Sequence, residues 1–280
     1  MQKTQDFLNA LKKNYNGEIR FDHISRKLYS TDASIYQMMP IGVLVPRNQE
    51  DLIAAVETAA IFKMPLLPRG SGSSLAGQAI GNAVVLDTSK YLNHLIGEIN
   101  AEEKTATVEP GVILAALNKA AAKHGLMFGP DPASAERATI GGVIGNNATG
   151  AHSIRYGMTA DHVISVDSIL SDGTLASWQE VDFGDSRKYD NRYQQILNTC
   201  REIHEKGAES IQATWPRTWR NSAGYRLNYL LPWSATQPPQ WDYAEYPLRN
   251  NNGKINLAAL LAGSEGTLAI TRKATLQLVE

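Results

Sequence analysis

The chain has 280 residues, 43% of them hydrophobic and 20% charged, which excludes a disordered chain and allows one large domain or two small lobes sharing a core. Its 27 basic and 28 acidic side chains give a formal net charge of −1, so nothing favours electrostatic capture of nucleic acid or of an anionic membrane. The one cysteine, Cys200, excludes an internal disulfide and any cysteine-ligated zinc or iron–sulfur centre built from this chain alone. No metal site is therefore expected, and a reducing, cytoplasmic setting is.

In chain order, residues 1–17 read as a short amphipathic helix ended by Gly17, without the long apolar core of a signal peptide or a membrane span. Gly42 to Val45 reads as a buried strand. Asn48 to Phe62 has helical apolar spacing with Asn48 as N-cap. Pro65 to Pro68 is extended, a Gly/Ser loop follows, and Ala83 to Asp87 is another strand, which together make an α/β lobe with at least one parallel crossover. Leu95 to Asn100 and Thr105 to Glu109 read as a hairpin across residues 101–104. Gly111 to Lys123 is a helix stopped by Gly125, and Val163 to Leu170 with Thr174 to Trp178 is a second hairpin across Ser171-Asp172-Gly173. Arg192 to Lys206 is a helix ended by Gly207, Leu231 to Asn252 an irregular surface loop, and Thr267 to Val279 a strand. Because the last residues still read as strand, an excised fragment is expected.

Three segments carry chemistry. In PRGSGSSLAG (68–77), Gly70 and Gly72 let the backbone turn its N–H groups to one concave face, while Ser71, Ser73 and Ser74 add hydroxyl donors. A diphosphate needs such a surface. Neither the GxGxxG pattern nor a P-loop fits, because Leu75 stands at the third glycine position and no Gly-Lys-Ser/Thr follows. Taken alone, the loop is equally well a flexible turn between strands. The second segment, residues 129–133 and 138–152, is dense in glycine and alanine, as a backbone packed against something flat or bulky would be; close helix-on-sheet packing is the alternative. The third, 262–270, enters the last strand and by itself reads as a turn.

Seven motifs in order, PRGSGSSLAG (68–77), VEPGV (108–112), ATIGG (138–142), IRYGMTADHV (154–163), SDG (171–173), NSAGY (221–225) and GSEGTLAI (263–270), resemble the FAD-binding domain of the vanillyl-alcohol oxidase and p-cresol methylhydroxylase superfamily. Within it they are most similar to the D-lactate dehydrogenase, glycolate oxidase and D-2-hydroxyglutarate dehydrogenase group, and they cover the chain from about Tyr29 onward. The stretch ATGAHSIRYGMTADH (148–162) resembles a subgroup fused to an iron–sulfur region.

The resemblance implies an α+β, two-lobed FAD-binding domain. An N-terminal helix would occupy 1–19, a small α/β lobe 20–92 and a larger lobe 93–280 with a mainly antiparallel sheet and flanking helices, the substrate-binding cap being absent. Pro68, Arg69, Gly70, Ser71, Gly72, Ser73 and Ser74 would hold the FAD diphosphate. Pro130, Asp131 and Pro132, then Ala138, Thr139, Ile140, Gly141 and Gly142, would pass beside the flavin and ribityl chain. Asn147, Gly150, His152 and Gly157 would continue that wall, Ile164 and Val166 would meet the adenine, and Glu265, Gly266 and Ile270 would close the site. With serines where some members carry a tethering histidine, noncovalent FAD is expected; for His152, a packed or hydrogen-bonded place beside the site is the reading.

Arg220, and less so Arg217, match a basic position that would grip a substrate carboxylate. An exposed surface arginine is the alternative. The implied function is oxidation of a small 2-hydroxy acid by hydride transfer to FAD, with electrons passing to an iron–sulfur region or other acceptor. Two other readings stay open: a non-catalytic nucleotide- or partner-binding module of the same fold, and a flavoenzyme like the UDP-sugar reductases.

Overall fold

A computed structural model describes residues 2–183, 191–216, 218, 220–231 and 254–280. The fold is α+β with two lobes, each built on its own four-stranded sheet. The first lobe begins with α1 (Gln2–Leu11), β1 (Glu18–Arg20) and α2 (His23–Leu28). It continues with β2 (Gly42–Val45), α3 (Gln49–Phe62), β3 (Leu66–Arg69) and β4 (Val84–Asp87). The strand order is β1-β2-β4-β3, with β2, β4 and β3 parallel and β1 antiparallel at the edge.

Every residue of β2 and β4 is buried, as strands covered on both faces should be. One face (Leu44, Val84, Leu86) packs under α3 and α1 with Phe7, Leu11 and Leu52. The other (Val43, Val45, Val85) is covered by Tyr29, Leu67 and Tyr91. Helix α3 starts as its sequence dictates. The Asn48 side chain accepts from Asp51 N at 2.8 Å, and Lys63 closes the helix in the left-handed region at φ 47°.

The second lobe contains β5 (Thr105–Val108), α4 (Leu114–Ala121) and three short helices, α5 (Ile140–Gly145), α6 (Ser153–Tyr156) and α7 (Thr159–His162). Then come β6 (Val163–Ile169), β7 (Leu175–Trp178), β8 (Glu180–Asp182), α8 (Asn191–Lys206), α9 (Ala208–Thr214), β9 (Lys254–Asn256) and β10 (Ile270–Gln277). The sheet runs β5-β10-β6-β7, all antiparallel, and β8 pairs with β9 apart from it. Burial alternates along β5 and β7, so one face meets a core containing Phe128, Ile140, Val166 and Leu276. Ile169 and Ile270, at adjoining ends of β6 and β10, pack into the first lobe's core instead. They join the lobes.

Several elements differ from their sequence expectation. Helix α1 ends at Leu11 rather than running to Gly17, while β1 and α2 carry too few residues to show a period. Leu95 to Asn100 makes only isolated bridges, Leu95 to Val108 and Asn100 to Thr105, along the edge of β5 that β10 leaves open. The helix expected from Gly111 begins at Leu114 and stops, as expected, at Gly125 (φ 70°). Most of the 231–252 loop and Arg217 lie outside the described residues.

Candidate functional site

A cleft opens between the lobes at the C-terminal ends of the parallel strands β3 and β4. Its first wall is the Gly/Ser loop. β3 ends where Thr88 N donates to Arg69 O at 3.1 Å, and the chain then turns through Gly72 at φ 71°. The Arg69 guanidinium points into the loop's own base. It donates to the carbonyls of Tyr29 (3.3 Å), Ala79 (3.0 Å) and Thr31 (2.9 Å) and lies 5.2 Å from the Tyr29 ring centre. Burial lowers its pKa, partly offset by the Asp87 charge. Both ends of the loop are thereby held, and at its tip the Gly72 carbonyl accepts from Ala33 N at 3.0 Å. Ser71, Gly72, Ser73 and Ser74 donate no backbone hydrogen bond to protein among the described residues.

The second wall is Pro110 and α5. Gly141 N donates to Pro110 O at 2.8 Å, and a Cβ there would sit 2.9 Å from Pro110 Cβ. Thr139, the N-cap of α5, is 2% exposed, makes no side-chain cap bond, and leaves its hydroxyl without a partner. A Cβ on Gly70 would collide with that hydroxyl, so the glycine lets the first wall close on the second. The third wall is the segment before β10: Gly263 N and Glu265 N donate to Ile144 O (3.0 Å) and Gly145 O (2.9 Å). Gln78 Nε2 reaches across the mouth to Glu265 Oε1 at 3.2 Å. Arg69 and Glu265 are the charged residues on this lining.

The cleft gathers Pro68 through Ser74, Ala138, Thr139, Gly141, Gly142, Glu265, Gly266 and Ile270 onto one surface. Other residues singled out in the sequence stand off it. Ile140, the first residue of α5, is fully buried in the second lobe's core, and Asn147, also buried and at φ 44°, accepts from Ala160 N at 2.9 Å. Gly150 crosses so close to the Asp131 carbonyl that no side chain fits, and Asp131 itself takes φ 46°. Pro130 O accepts from Ser153 Oγ at 3.3 Å, with Pro132 buried in the same turn. The His152 ring lies 3.4 Å from the Asp131 carboxylate at a half-exposed rim. Gly157 (φ 91°) ends α6, and Ile164 and Val166 sit in β6, Val166 inside the second lobe's core. Arg220 is exposed, its Nε donating to Thr149 Oγ1 at 2.9 Å.

Lining residues the sequence reading passed over include Gln78, Thr88, Ser134 and Asn146. Thr88 had a signal, since it directly follows the strand parallel to β3; the cross-cleft contact of Gln78 spans 187 residues and had none. Among the described residues no cluster of three or more His, Cys, Asp or Glu could hold a metal, and no helix is long and apolar enough to cross a membrane.

The arrangement is a row of free amides and an unpaired hydroxyl, continued by a backbone trough of small residues. The chain is 32% identical to D-2-hydroxyglutarate dehydrogenase of Pseudomonas putida over 98% of this chain and 26% of that protein. The Escherichia coli enzyme of that name is 31% identical over 99% of this chain and 26% of its own length. The glycolate oxidase subunit GlcD of Bacillus subtilis is 37% identical over 57% of this chain and 35% of that protein. The chain thus spans about a quarter of the length of the two dehydrogenases. An alkyldihydroxyacetonephosphate synthase structure has the same fold, with a TM-score of 0.65 at 19% identity over 98% of this chain and 40% of that one. Residues 40–178 match the family described as FAD binding domain, and the chain belongs to that family.

Proposed function

We propose that the chain is the FAD-binding part of a dehydrogenase that oxidises a small 2-hydroxy acid, with FAD held noncovalently and extended between a small lobe (20–92) and a larger lobe (93–280). Electrons would leave for an iron–sulfur region or another acceptor outside these residues, in the cytoplasm. One observation carries the reading. The cleft presents unengaged amides at Ser71–Ser74 opposite the unpaired, buried hydroxyl of Thr139, between glycines that admit a large ligand against the backbone. Those groups fit a dinucleotide diphosphate, and the Thr139 hydroxyl, buried without a partner, otherwise costs about 1–3 kcal/mol.

Bound there, FAD supplies a two-electron hydride acceptor. The chain's own residues bind and orient. The amides of Ser71–Ser74 hold the phosphates, the Thr139 hydroxyl donates to the ligand, and Gly141 and Gly142 keep the trough shallow. Glu265, Gly266 and Ile270 close the opposite side. Asp131 and His152 form the rim beyond, Pro130, Pro132, Asn147, Gly150 and Gly157 hold it from within, Ile164 and Val166 support it from β6, and Arg220 holds a substrate carboxylate there. No histidine lines the cleft among the described residues, which supports noncovalent attachment.

The test is an absorption spectrum of the purified chain supplied with FAD, then denaturation, then anaerobic addition of D-lactate, glycolate, D-2-hydroxyglutarate or NADPH. A flavin spectrum, release of free FAD and bleaching by a hydroxy acid are expected. A chain that takes up no FAD becomes a non-catalytic module, and bleaching by NADPH alone moves it to the reductases.

A further inference from the structure

The largest fully buried side chain among the described residues, Arg226, has no place in the cofactor reading. Its guanidinium donates from one terminal nitrogen to Asn221 O and from the other to Ala223 O (2.7 Å), and it lies 5.5 Å from the centre of the Trp215 ring. A buried guanidinium is tolerated only where oriented dipoles and aromatic faces replace its water. Here two carbonyls of one turn do so. The turn is wound around the fork, with Asn221 Oδ1 accepting from Ala223 N at 3.3 Å and Gly224 at φ 74°.

What this turn touches gives the arginine its meaning. Arg220, at its start, is bonded to Thr149 beside the second wall. Tyr225, at its end, shares a 2.9 Å hydrogen bond with Thr267 beside the third wall. Between them the carbonyls of Ser222 and Gly224 press on Gly263, where a Cβ would stand 3.1 and 2.8 Å from them. Gly263 N in turn donates to Ile144 O in α5. One turn therefore braces both long walls of the cleft from behind.

We infer that Arg226 is a positioning residue for the cofactor cleft, clamping the 221–225 turn so that the segments around Thr149 and Gly263–Thr267 keep their spacing. It acts through those segments and touches no ligand. A lysine replaces it poorly, because one compact ammonium lacks the rigid fork of two separate donor nitrogens that meets these two carbonyls. The functional half of this assignment rests on the FAD reading of the cleft; the clamp itself does not.

Two measurements on the 280-residue chain separate the two. Hydrogen exchange of Arg226→Lys is expected to be at least about tenfold faster at 221–225, 146–149 and 263–267, with α3 as protected as before. Uniform acceleration, or none, overturns the clamp. At a temperature where all variants are folded, Arg226→Lys is expected to bind FAD about tenfold more weakly, as a slight misplacement of positioned groups does. In Arg226→Ala, about 20 mM guanidinium, far below denaturing concentrations, is expected to restore most of that affinity. FAD binding by Arg226→Lys within twofold of the unaltered chain overturns the positioning role. If the unaltered chain takes up no FAD, the cofactor reading falls and the exchange pattern alone decides the clamp.

Discussion

At the scale of single residues, the cleft is set by atoms that are missing or unpaired. Thr139 keeps a hydroxyl at 2% exposure with nothing to bond to, and a buried polar atom without a partner destabilises the protein unless a ligand meets it. Thr139→Val is therefore expected to leave the FAD-free chain as stable as before or more so while weakening FAD binding by about 1–3 kcal/mol, roughly 5- to 150-fold. Calorimetry with and without FAD reads both effects; unchanged affinity would remove Thr139 from the ligand set. Gly70 is the complementary case, where a single methyl would run into the Thr139 hydroxyl and lie 3.2 Å from its Cβ. Gly70→Ala is expected to cost at least about tenfold in FAD affinity, and less when combined with Thr139→Ala, since the two sites share the contact. These glycines were legible because small residues in a row leave few physical explanations. Gln78, Arg226 and the inward guanidinium of Arg69 were not, because their partners are carbonyls or side chains brought near only by the folded chain.

At the scale of elements, those that announce their own ends are the ones the sequence makes readable. Asn48 caps α3 through Asp51 N, while Asp51 in turn accepts from Asn16 N (2.7 Å) and Arg47 N (2.9 Å). Asn48→Ala is expected to destabilise the chain by about 1 kcal/mol in urea unfolding, without changing FAD affinity, since α3 carries no side chain to the first cleft. The short helices α5 and α6 begin with no side-chain cap bond. Three glycines inside α5 oppose helix formation (Gly141, Gly142, Gly145), and close packing, as of Gly141 on Pro110, holds them. Leu95 to Asn100 shows the converse, a β-like run that reaches its partner edge yet makes only isolated bridges along it. His162 closes α7 with its ring fully buried, Nε2–H donating to Tyr156 O at 2.7 Å and Nδ1 3.3 Å from Gln277 O. Burial lowers its pKa against the opposing pull of Asp161 and the two carbonyls. The unfolded chain then takes up a proton that the folded one refuses. Stability is full above about pH 6.5 and falls below it, by up to about 1.4 kcal/mol per pH unit until the folded-state pKa is reached. Urea titrations between pH 8 and 5 read this slope, and His162→Gln should flatten it; an unchanged slope assigns the acid sensitivity elsewhere.

At the scale of the whole molecule, the question is whether the lobes behave as one body when the cleft between them is filled. Three contacts argue that they do. Ile169 and Ile270 of the second sheet complete the first lobe's core. Gln49 at the head of α3 accepts from Arg272 Nε at 3.1 Å and donates to the Arg272 carbonyl and to Glu109, both at 3.2 Å. Gly266 meets the Pro68 ring closely enough that a Cβ would lie 2.5 Å from Pro68 Cγ. A ligand held by walls from both lobes then stabilises both at once. FAD at about 100 times its dissociation constant adds roughly 2.7 kcal/mol to a state that alone binds it. For a chain of this length that is a rise in Tm of about 5 °C. A single calorimetric transition moving by that amount is expected. Two transitions, with FAD shifting only one, would mean that the lobes unfold separately and that one wall alone holds the cofactor. The contacts at Ile169, Gln49 and Pro68 would then align the lobes without coupling their stability.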